Sequence, residues 1–452
     1  MQLSEVAQMI GARLRGEDAS FTHVSKDSRS IESGALYIAI VGENFDGHDF
    51  LDEVSAVGAA GAMVSRESDN ELPQLVVEDT VQALGHLAAA WRKLSDVKMI
   101  GLTGSNGKTT VKEMCRHVLC EVAGEEAVLA TQGNYNNDIG MPLTLLRLRE
   151  QHSYAVIEMG ANHVGEIEYL VNISRPDVAL LNNAGPAHLE GFGSLDNVAR
   201  AKAEIYGGLG EDGVAIINLD DKYAPMWQRM CAERNSMSFS TSMSIADVYC
   251  EQGDQVVVHH AGESAVLELK VPGAHNLANA MAATASLLAI GIGFQSVIAA
   301  LNTFTNIAGR LKLKQLANGL RVIDDSYNAN PASVRAGIDV LSQQEGSKVL
   351  VLGDMGELGE DAAALHLEIG RYAADKGVDH LFACGEFAEQ MAAGFGEGAR
   401  RFDDALAAIE PLISEIDETA VVLIKGSRFM KMERIVTALQ ELELDATGQE
   451  ID

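Results

Sequence analysis

The sequence predicts an α/β protein of three domains: a small mixed α/β domain at the N-terminus, a central domain on a parallel sheet, and a C-terminal doubly wound domain. Three observations carry that prediction. The chain has 452 residues, and domains run to about 150 residues each. From Val97 onward, short apolar runs end in glycine or polar turns and are followed by helical patterns, the order that builds a parallel sheet covered on both faces. Beyond Arg310 the same alternation starts afresh, which separates a third unit from the second.

Composition bounds the function. With 47% hydrophobic and 22% charged residues, the chain is an ordinary globular protein rather than a disordered or fibrous one. Its 65 acidic residues against 34 basic ones leave a formal charge of -31, so nucleic acid and anionic membranes would repel it. An anionic ligand must then be held by local donors. The five cysteines, Cys115, Cys120, Cys231, Cys250 and Cys384, include no CxxC pair and read as inert buried thiols of a reducing compartment. No basic leader followed by an apolar run opens the chain, and no apolar stretch approaches the roughly 20 residues of a membrane span. The expectation is a cytoplasmic protein.

Along the N-terminal domain, Leu3, Val6, Ile10 and Leu14 recur at helical spacing up to a turn near Gly16. Ala35 to Val41 predicts a buried strand, Gln74 to Glu78 another, and Val81 to Leu94 a helix. A polar break at Ser95 to Lys98 closes the unit, giving domain bounds of 1–97, 98–309 and 310–452. In the second unit, strands are predicted at Met99 to Thr103, Tyr154 to Met159, Val178 to Leu181 and Val214 to Asn218. Alternating runs at Gln255 to His259 and Ala265 to Lys270 predict an antiparallel addition before a helix from His275 to Ala289. In the third unit the strands fall at Leu320 to Asp324, Lys348 to Gly353, His380 to Cys384 and Ala420 to Lys425. The absence of long linkers predicts short hinges, one of them at Ala308 to Leu311.

The sharpest motif is Thr103-Gly-Ser-Asn-Gly-Lys-Thr-Thr110, between an apolar strand and a helix. In that context glycines let backbone approach phosphate, amide N–H groups and the helix N-terminus meet its charge, Lys108 adds a cation, and Thr109 can reach Mg²⁺. The loop is a shortened relative of G-x-x-x-x-G-K-[ST], because Leu102 stands where that pattern has its first glycine. Glu158 lies at the carboxyl end of a buried strand, where open α/β sheets bind ligands; it answers either a metal or a structural salt bridge. His188 follows another strand in the polar loop Leu181-Asn-Asn-Ala-Gly-Pro-Ala-His188, and Lys202 by composition alone is a solvated helical lysine. Asn276, Asn279, Arg310 and the run Asp324-Asp-Ser-Tyr-Asn-Ala-Asn-Pro331 sit at turns and helix starts, where capping or turn chemistry is the better reading of each taken singly.

Taken in this order, these motifs resemble the ATP-dependent Mur ligases, the amino-acid- and peptide-adding enzymes of bacterial peptidoglycan precursor synthesis. The resemblance spans the chain and implies a P-loop-type central ATPase domain and a Rossmann-like C-terminal domain. The N-terminal Asp27-Ser28-Arg29 and Val41-Gly-Glu-Asn-Phe-Asp-Gly-His48 are similar to the uridine-nucleotide domain of the two later-acting members. Thr131-Gln-Gly-Asn-Tyr-Asn-Asn-Asp-Ile-Gly-Met-Pro142, and the lack of an Asp-Asn-Pro-Arg motif, point to the last-acting member, which adds D-alanyl-D-alanine to UDP-N-acetylmuramoyl-tripeptide. The preceding ligase, which adds diaminopimelate or lysine, is the nearest rival; a non-catalytic nucleotide-binding module is a rival of another class.

The resemblance implies roles residue by residue. ATP would be held by Gly104, Ser105, Asn106, Gly107, Lys108, Thr109 and Thr110, with Asn276, Asn279, Arg310 and Asp325 toward the adenine, ribose and outer phosphates. Two Mg²⁺ ions would use Thr109 and Glu158, then Glu158, His188 and a CO₂-derived carbamate on Lys202; Lys108, Lys202, His188 and Glu158 form the catalytic set. Substrates would meet Ser28, Arg29, Asn44, Phe45, Asp46, Gly47 and His48 on the uridine side, and Asn134 and Asn137 near the phosphate or muramoyl group, with the choice among Asn134, Asn136 and Asn137 open. Tyr327, Asn328, Asn330, Asp354, Ser427 and Arg428 would complete the site toward the dipeptide. A monomer acting on small molecules is implied.

Overall fold

The computed structural model describes residues 1–186, 189–305, 309–316, 319–417 and 419–447. Among them the strands form three sheets. The first contains β1 (Arg13–Arg15), β2 (His23–Ser25), β3 (Ala35–Ile38), β4 (Gly61–Val64) and β5 (Gln74–Val76), in the order β1-β5-β4-β3-β2, with only β1 antiparallel to its neighbour. The helix predicted to reach Leu14 spans Leu3–Ile10 instead. Gly11 ends it in the left-handed region at φ 70°, and Leu14 pairs with Leu75 across β1 and β5. The strand predicted to reach Val41 stops at Ile38, because Val41 bridges back to Asp46 in a turn.

The central sheet carries β6 (Lys98–Thr103), β7 (Val128–Ala130), β8 (Tyr154–Glu158), β9 (Val178–Leu181), β10 (Val214–Asn218), β11 (Asn235–Ser240), β12 (Val248–Gln252), β13 (Val256–His260) and β14 (Glu263–Leu267). Its order is β14-β13-β12-β11-β10-β9-β6-β8-β7, parallel except for the antiparallel β12-β13-β14 edge. Strand order reverses around β6: β7 and β8 lie to one side and β9 to the other, which opens a crevice at the strands' carboxyl ends. The phosphate motif leaves β6 at that crevice and enters the helix Lys108–Ala123.

The third sheet holds β15 (Lys312–Gln315), β16 (Arg321–Asp325), β17 (Lys348–Gly353), β18 (His380–Cys384), β19 (Ala399–Phe402) and β20 (Val421–Lys425), in the order β15-β16-β20-β17-β18-β19, parallel but for β15. It has its own apolar clusters on its two faces, around Val334, Leu350 and Leu423 and around Val351, Phe382 and Ile435. The first two sheets are joined differently. One continuous cluster runs from Leu3, Leu36 and Leu84 into Met99, Ile157, Leu170 and Leu181, so the N-terminal unit shares a core with one face of the central sheet. The expectation of a short hinge at that junction gives way to a packed interface. Four of the five cysteines are buried and Cys120 is half-buried, all with free thiols. No helix among the described residues is long and apolar enough to cross a membrane.

Candidate active site

A cleft of about 550 Å³ lies between the central and C-terminal units, within the usual size range of small-molecule sites. From the central unit it is lined by Ser105 to Thr110, Asn134, Asn136, Asn137, Glu158, Asn276 and Asn279; from the C-terminal unit by Arg310, Asp325, Tyr327, Asn328, Asn330 and Arg428. The fold thus brings together residues more than 300 positions apart in the chain.

Each side chain is placed by its element. Gly107 adopts φ 79° at the start of the helix Lys108–Ala123, and a Cβ there would collide with Asn279 Oδ1 and Asn182 Nδ2, so glycine is required. Lys108 Nζ donates to Gly104 O at 2.7 Å; burial lowers its pKa, Arg310 adds to that, and Glu158 opposes it. Thr109 Oγ1 donates to Glu158 Oε2 at 3.1 Å and accepts from Arg310 Nη2 at 3.1 Å. Glu158 takes a further hydrogen bond on Oε1 from Asn136 Nδ2 at 2.8 Å, and its backbone N–H donates to Thr131 Oγ1. Of the three asparagines left open above, it is therefore Asn136 that touches Glu158. Asn137 Oδ1 instead accepts from Gly140 N–H and starts a short helix.

Lys202 is 0% exposed, on the helix Leu195–Ala203, and its Nζ has no hydrogen-bond partner among the described residues. The amine lies 5.6 Å from the Phe192 ring. Burial first, and the charge of Lys108 second, hold its pKa well below the usual lysine range, against the pull of Glu166 and Glu204. The solvated lysine of the composition-only reading is excluded. His188 lies outside the described residues. Arg310 Nε is likewise buried without a partner among the described residues, and its guanidinium stacks 4.3 Å from the Tyr327 ring.

Lys202 does not line the cleft; Lys108 and Arg310, whose buried Nε has no acceptor among the described residues, stand beside one carboxylate and one hydroxyl and define a site for an anion with a hard cation. Mg²⁺ uses one or two carboxylates together with phosphate oxygens and water. Thr109 Oγ1 and Glu158 fit that donor set, although no cluster of three His, Cys, Asp or Glu side chains occurs among the described residues.

Asn276 and Asn279 form a chain, Asn279 Nδ2 donating to Asn276 Oδ1 at 3.3 Å and Asn182 Nδ2 to Asn279 Oδ1 at 3.0 Å. Asp325 is engaged by Lys425 at 2.5 Å and by the N–H of Leu311, leaving only part of its carboxylate toward the cleft. Asn330 caps the helix Pro331–Ser342 and also reaches across the cleft, its Nδ2 donating to Asn106 Oδ1 at 2.7 Å. Arg428 lines the cleft beside Tyr327 while paired with Glu433 at 2.9 Å.

Two groups of the expected residues lie outside this cleft. Asp354 is buried with its carboxylate accepting the N–H groups of Glu386 and Phe387, and Ser427 Oγ accepts from Gly356 N–H and donates to Ala329 O. Neither lines the cleft; both fix the loops after β17 and β20. The N-terminal set lies apart from the cleft. There Arg29 pairs with Asp27, holding that carboxyl at about 2, and Asn44 and Phe45 are exposed on a turn. Asp46 binds both His48 Nδ1 at 2.6 Å and Arg66 at 2.6 Å, while His48 Nε2 accepts from Ser65 N–H. His48, expected on a ligand, is buried and braces this turn; Gly47 allows the turn to press against Ile40.

Sequence reasoning missed Asn162, Glu166, Asn182, Asn183, Asn218 and His275, which also line the cleft. Asn182 and Asn183 were visible as a polar pair at the end of β9; the others had no local signal.

This geometry is accompanied by similarity along the whole chain. Residues 20–92 match the model described as Mur ligase family, catalytic domain; residues 102–287 match the Mur ligase middle domain; residues 309–428 match the Mur ligase, glutamate ligase domain. The UDP-N-acetylmuramoyl-tripeptide--D-alanyl-D-alanine ligase of Escherichia coli (strain K12) is 42% identical over 447 residues, covering 97% of this chain and 98% of its own. A crystal structure of MurF from Acinetobacter baumannii superposes with a TM-score of 0.90 at 38% identity, over 97% of this chain and 98% of that one. MurF ligase from Thermotoga maritima in complex with ADP gives a TM-score of 0.82 at 27% identity, over 94% and 98%. Matched in chain order by all three domain models and aligned from end to end with ligases of one name, the chain belongs to the Mur ligase family.

Proposed function

We propose that this chain is an ATP-dependent ligase that joins D-alanyl-D-alanine to UDP-N-acetylmuramoyl-tripeptide, completing the pentapeptide precursor of peptidoglycan. The observation that carries the reading is the cleft itself: a phosphate loop and a buried carboxylate on one wall face Arg310 and Arg428 on the other. The near-complete alignment with the Escherichia coli ligase supports the choice of substrates within the family. Residues 1–97 serve the uridine nucleotide, 98–309 ATP, and 310–452 the incoming dipeptide.

In the reaction, an oxygen of the tripeptide's terminal carboxylate attacks the γ-phosphorus, the bond to the β–γ bridging oxygen breaks, and ADP leaves an acyl phosphate. The neutral amine of the dipeptide then attacks the acyl carbon. The resulting tetrahedral centre expels phosphate, and the amine's proton passes to solvent. Lys108 and the N–H groups at the start of its helix hold the phosphates, and Arg310 spreads the charge that builds on the transferring group. Thr109 and Glu158 would hold one Mg²⁺, and Glu158, His188 and a carbamate on Lys202 a second. When bound, the ions neutralise the repulsion between carboxylate and phosphate. Asn136 fixes the orientation of Glu158, and burial favours the neutral amine of Lys202, the form that can take up CO₂. Arg428 suits the free carboxylate of the dipeptide. A cytoplasmic monomer fits this reading.

Amine profiling tests it. With ATP and UDP-N-acetylmuramoyl-tripeptide present, ADP release and a new amide are expected with D-alanyl-D-alanine. Turnover with free diaminopimelate or lysine instead would move the chain to the preceding step, and ADP release independent of any amine would remove the ligase reading.

A further inference from the structure

The phosphate loop is two residues shorter than G-x-x-x-x-G-K-[ST], yet it must hold its backbone in one shape before a polyphosphate arrives. A shorter loop carries fewer internal hydrogen bonds, so its shape has to be imposed from outside. The loop that follows β9 does this. Asn183 Oδ1 accepts the backbone N–H of Asn106 at 2.9 Å, and Asn183 Nδ2 donates to the carbonyl of the same residue at 3.1 Å. One side-chain amide thus grips both polar groups of Asn106, as a neighbouring strand would. Asn182 Nδ2 donates to the same carbonyl at 3.0 Å. Ser105 is held as firmly: its N–H donates to Asn183 O at 3.0 Å, and its hydroxyl accepts from Gly185 N–H and donates to Gly185 O, both at 2.9 Å. The gripping loop is itself anchored, with Asn218 Nδ2 donating to Asn182 O and Ala184 N–H to Asp221 Oδ2, each at 2.8 Å.

This arrangement divides the loop. The N–H groups of Ser105 and Asn106 are consumed inside the protein, so phosphate has to be met by those of Gly107 to Thr110, which helix geometry leaves without intrahelical acceptors. Resting on the nucleotide reading above, we propose that Asn183 is a positioning residue for the polyphosphate: its amide, seconded by Asn182, presets the shortened loop so that the Gly107–Thr110 N–H groups converge on one point.

The test is the affinity for Mg·ADP, measured by titration calorimetry on the full chain and on Asn183→Ala and Asn183→Asp, together with KM for each substrate. A loop released from both bonds misplaces its donors, so Asn183→Ala is expected to bind Mg·ADP about ten- to a hundredfold more weakly and to raise KM for ATP similarly. KM for the dipeptide is expected to stay within about twofold. Asn183→Asp keeps the volume and the acceptor for Asn106 N–H but loses the donor to its carbonyl; it is expected to weaken Mg·ADP as well, and it decides the matter if the alanine variant does not fold. Mg·ADP affinity within about twofold of the parent in the aspartate variant would overturn the clasp alone. So would an alanine variant whose KM values for all three substrates rise together, the mark of general loosening. A parent protein that does not bind Mg·ADP would overturn the nucleotide reading and the clasp with it.

Discussion

The amine of Lys202 is buried beside the Phe192 ring with no hydrogen-bond partner among the described residues, and desolvation holds its pKa well below the ordinary 10.5. The folded chain therefore binds this proton less tightly than the unfolded chain does. The sign follows: below pH 10.5 the unmodified lysine subtracts from stability, and the loss deepens as pH falls toward the lowered folded value. Function and stability are opposed at this position. Lys202→Met, apolar and of similar length, is expected to abolish turnover yet raise the unfolding temperature in bicarbonate-free buffer, since about 1–3 kcal/mol of unsatisfied-donor cost is relieved. Scanning calorimetry beside an activity assay checks both halves, and a lowered unfolding temperature would contradict the account. Lys202→Ala should regain part of its activity with a short free carboxylate that fills the gap, whereas full activity without one would remove Lys202 from the mechanism. None of this was legible locally: a helix with Arg200 and Lys202 in its last turn reads as a solvated end, and only the fold buries one of the two.

At the scale of elements, the helix Pro331–Ser342 begins at a residue with two duties. Asn330 Oδ1 accepts Ser333 N–H as the cap, and Asn330 Nδ2 donates to Asn106 Oδ1 in the phosphate loop. Aspartate separates the duties, because it keeps the cap but has no donor. Asn330→Asp is expected to leave the unfolding temperature near that of the parent while raising KM for ATP. Asn330→Ala is expected to lose the cap as well, at about 1 kcal/mol. Equal stability losses in the two variants would show that the cap is not what Asn330 contributes. The sequence exposes the cap, an asparagine before proline at a helix start, but not the partner 224 positions away. The same limit explains the elements. Strands with long apolar runs, such as β6, β8 and β20, were legible because burial on both faces leaves a compositional trace. The three-residue strands β1 and β2 are only partly buried and carry too little apolar pattern to be seen, whereas β5, equally short, is legible from its apolar run; Leu14 reads as part of the preceding helix because helical spacing outlasts the glycine that ends it. The phosphate loop was legible because its parts are contiguous; Asn136 on Glu158 and Asn183 on Asn106 are pairings that only the fold creates.

In the whole molecule, the N-terminal and central units share one apolar core, while the C-terminal unit has its own and meets the central unit across the polar cleft. Motion on binding substrates is therefore expected between the second and third units, with the first two moving as one body. Gly309, at φ 74°, and Arg310, bonded to Thr109, lie at the start of the third unit; Ala308, named with them as the hinge, lies outside the described residues. Small-angle scattering with an ATP analogue, Mg²⁺ and the nucleotide-sugar peptide is expected to give a smaller radius of gyration than the free protein, or an unchanged one only if the free chain is already closed; in that second case a disulfide holding the two units open must abolish turnover. An open-locked protein that still turns over would rule closure out.

The central claim is that one cleft lets a carboxylate take the γ-phosphoryl group and then surrender the resulting acyl group to a dipeptide. The claim fixes the path of an oxygen atom. The carboxylate oxygen that attacks phosphorus stays with phosphate when the amine displaces it. UDP-N-acetylmuramoyl-tripeptide labelled with ¹⁸O in its terminal carboxylate, turned over with ATP and D-alanyl-D-alanine, is expected to deliver labelled oxygen into the released phosphate with each amide formed, as read by mass spectrometry. Unlabelled phosphate accompanying amide formation would contradict the account.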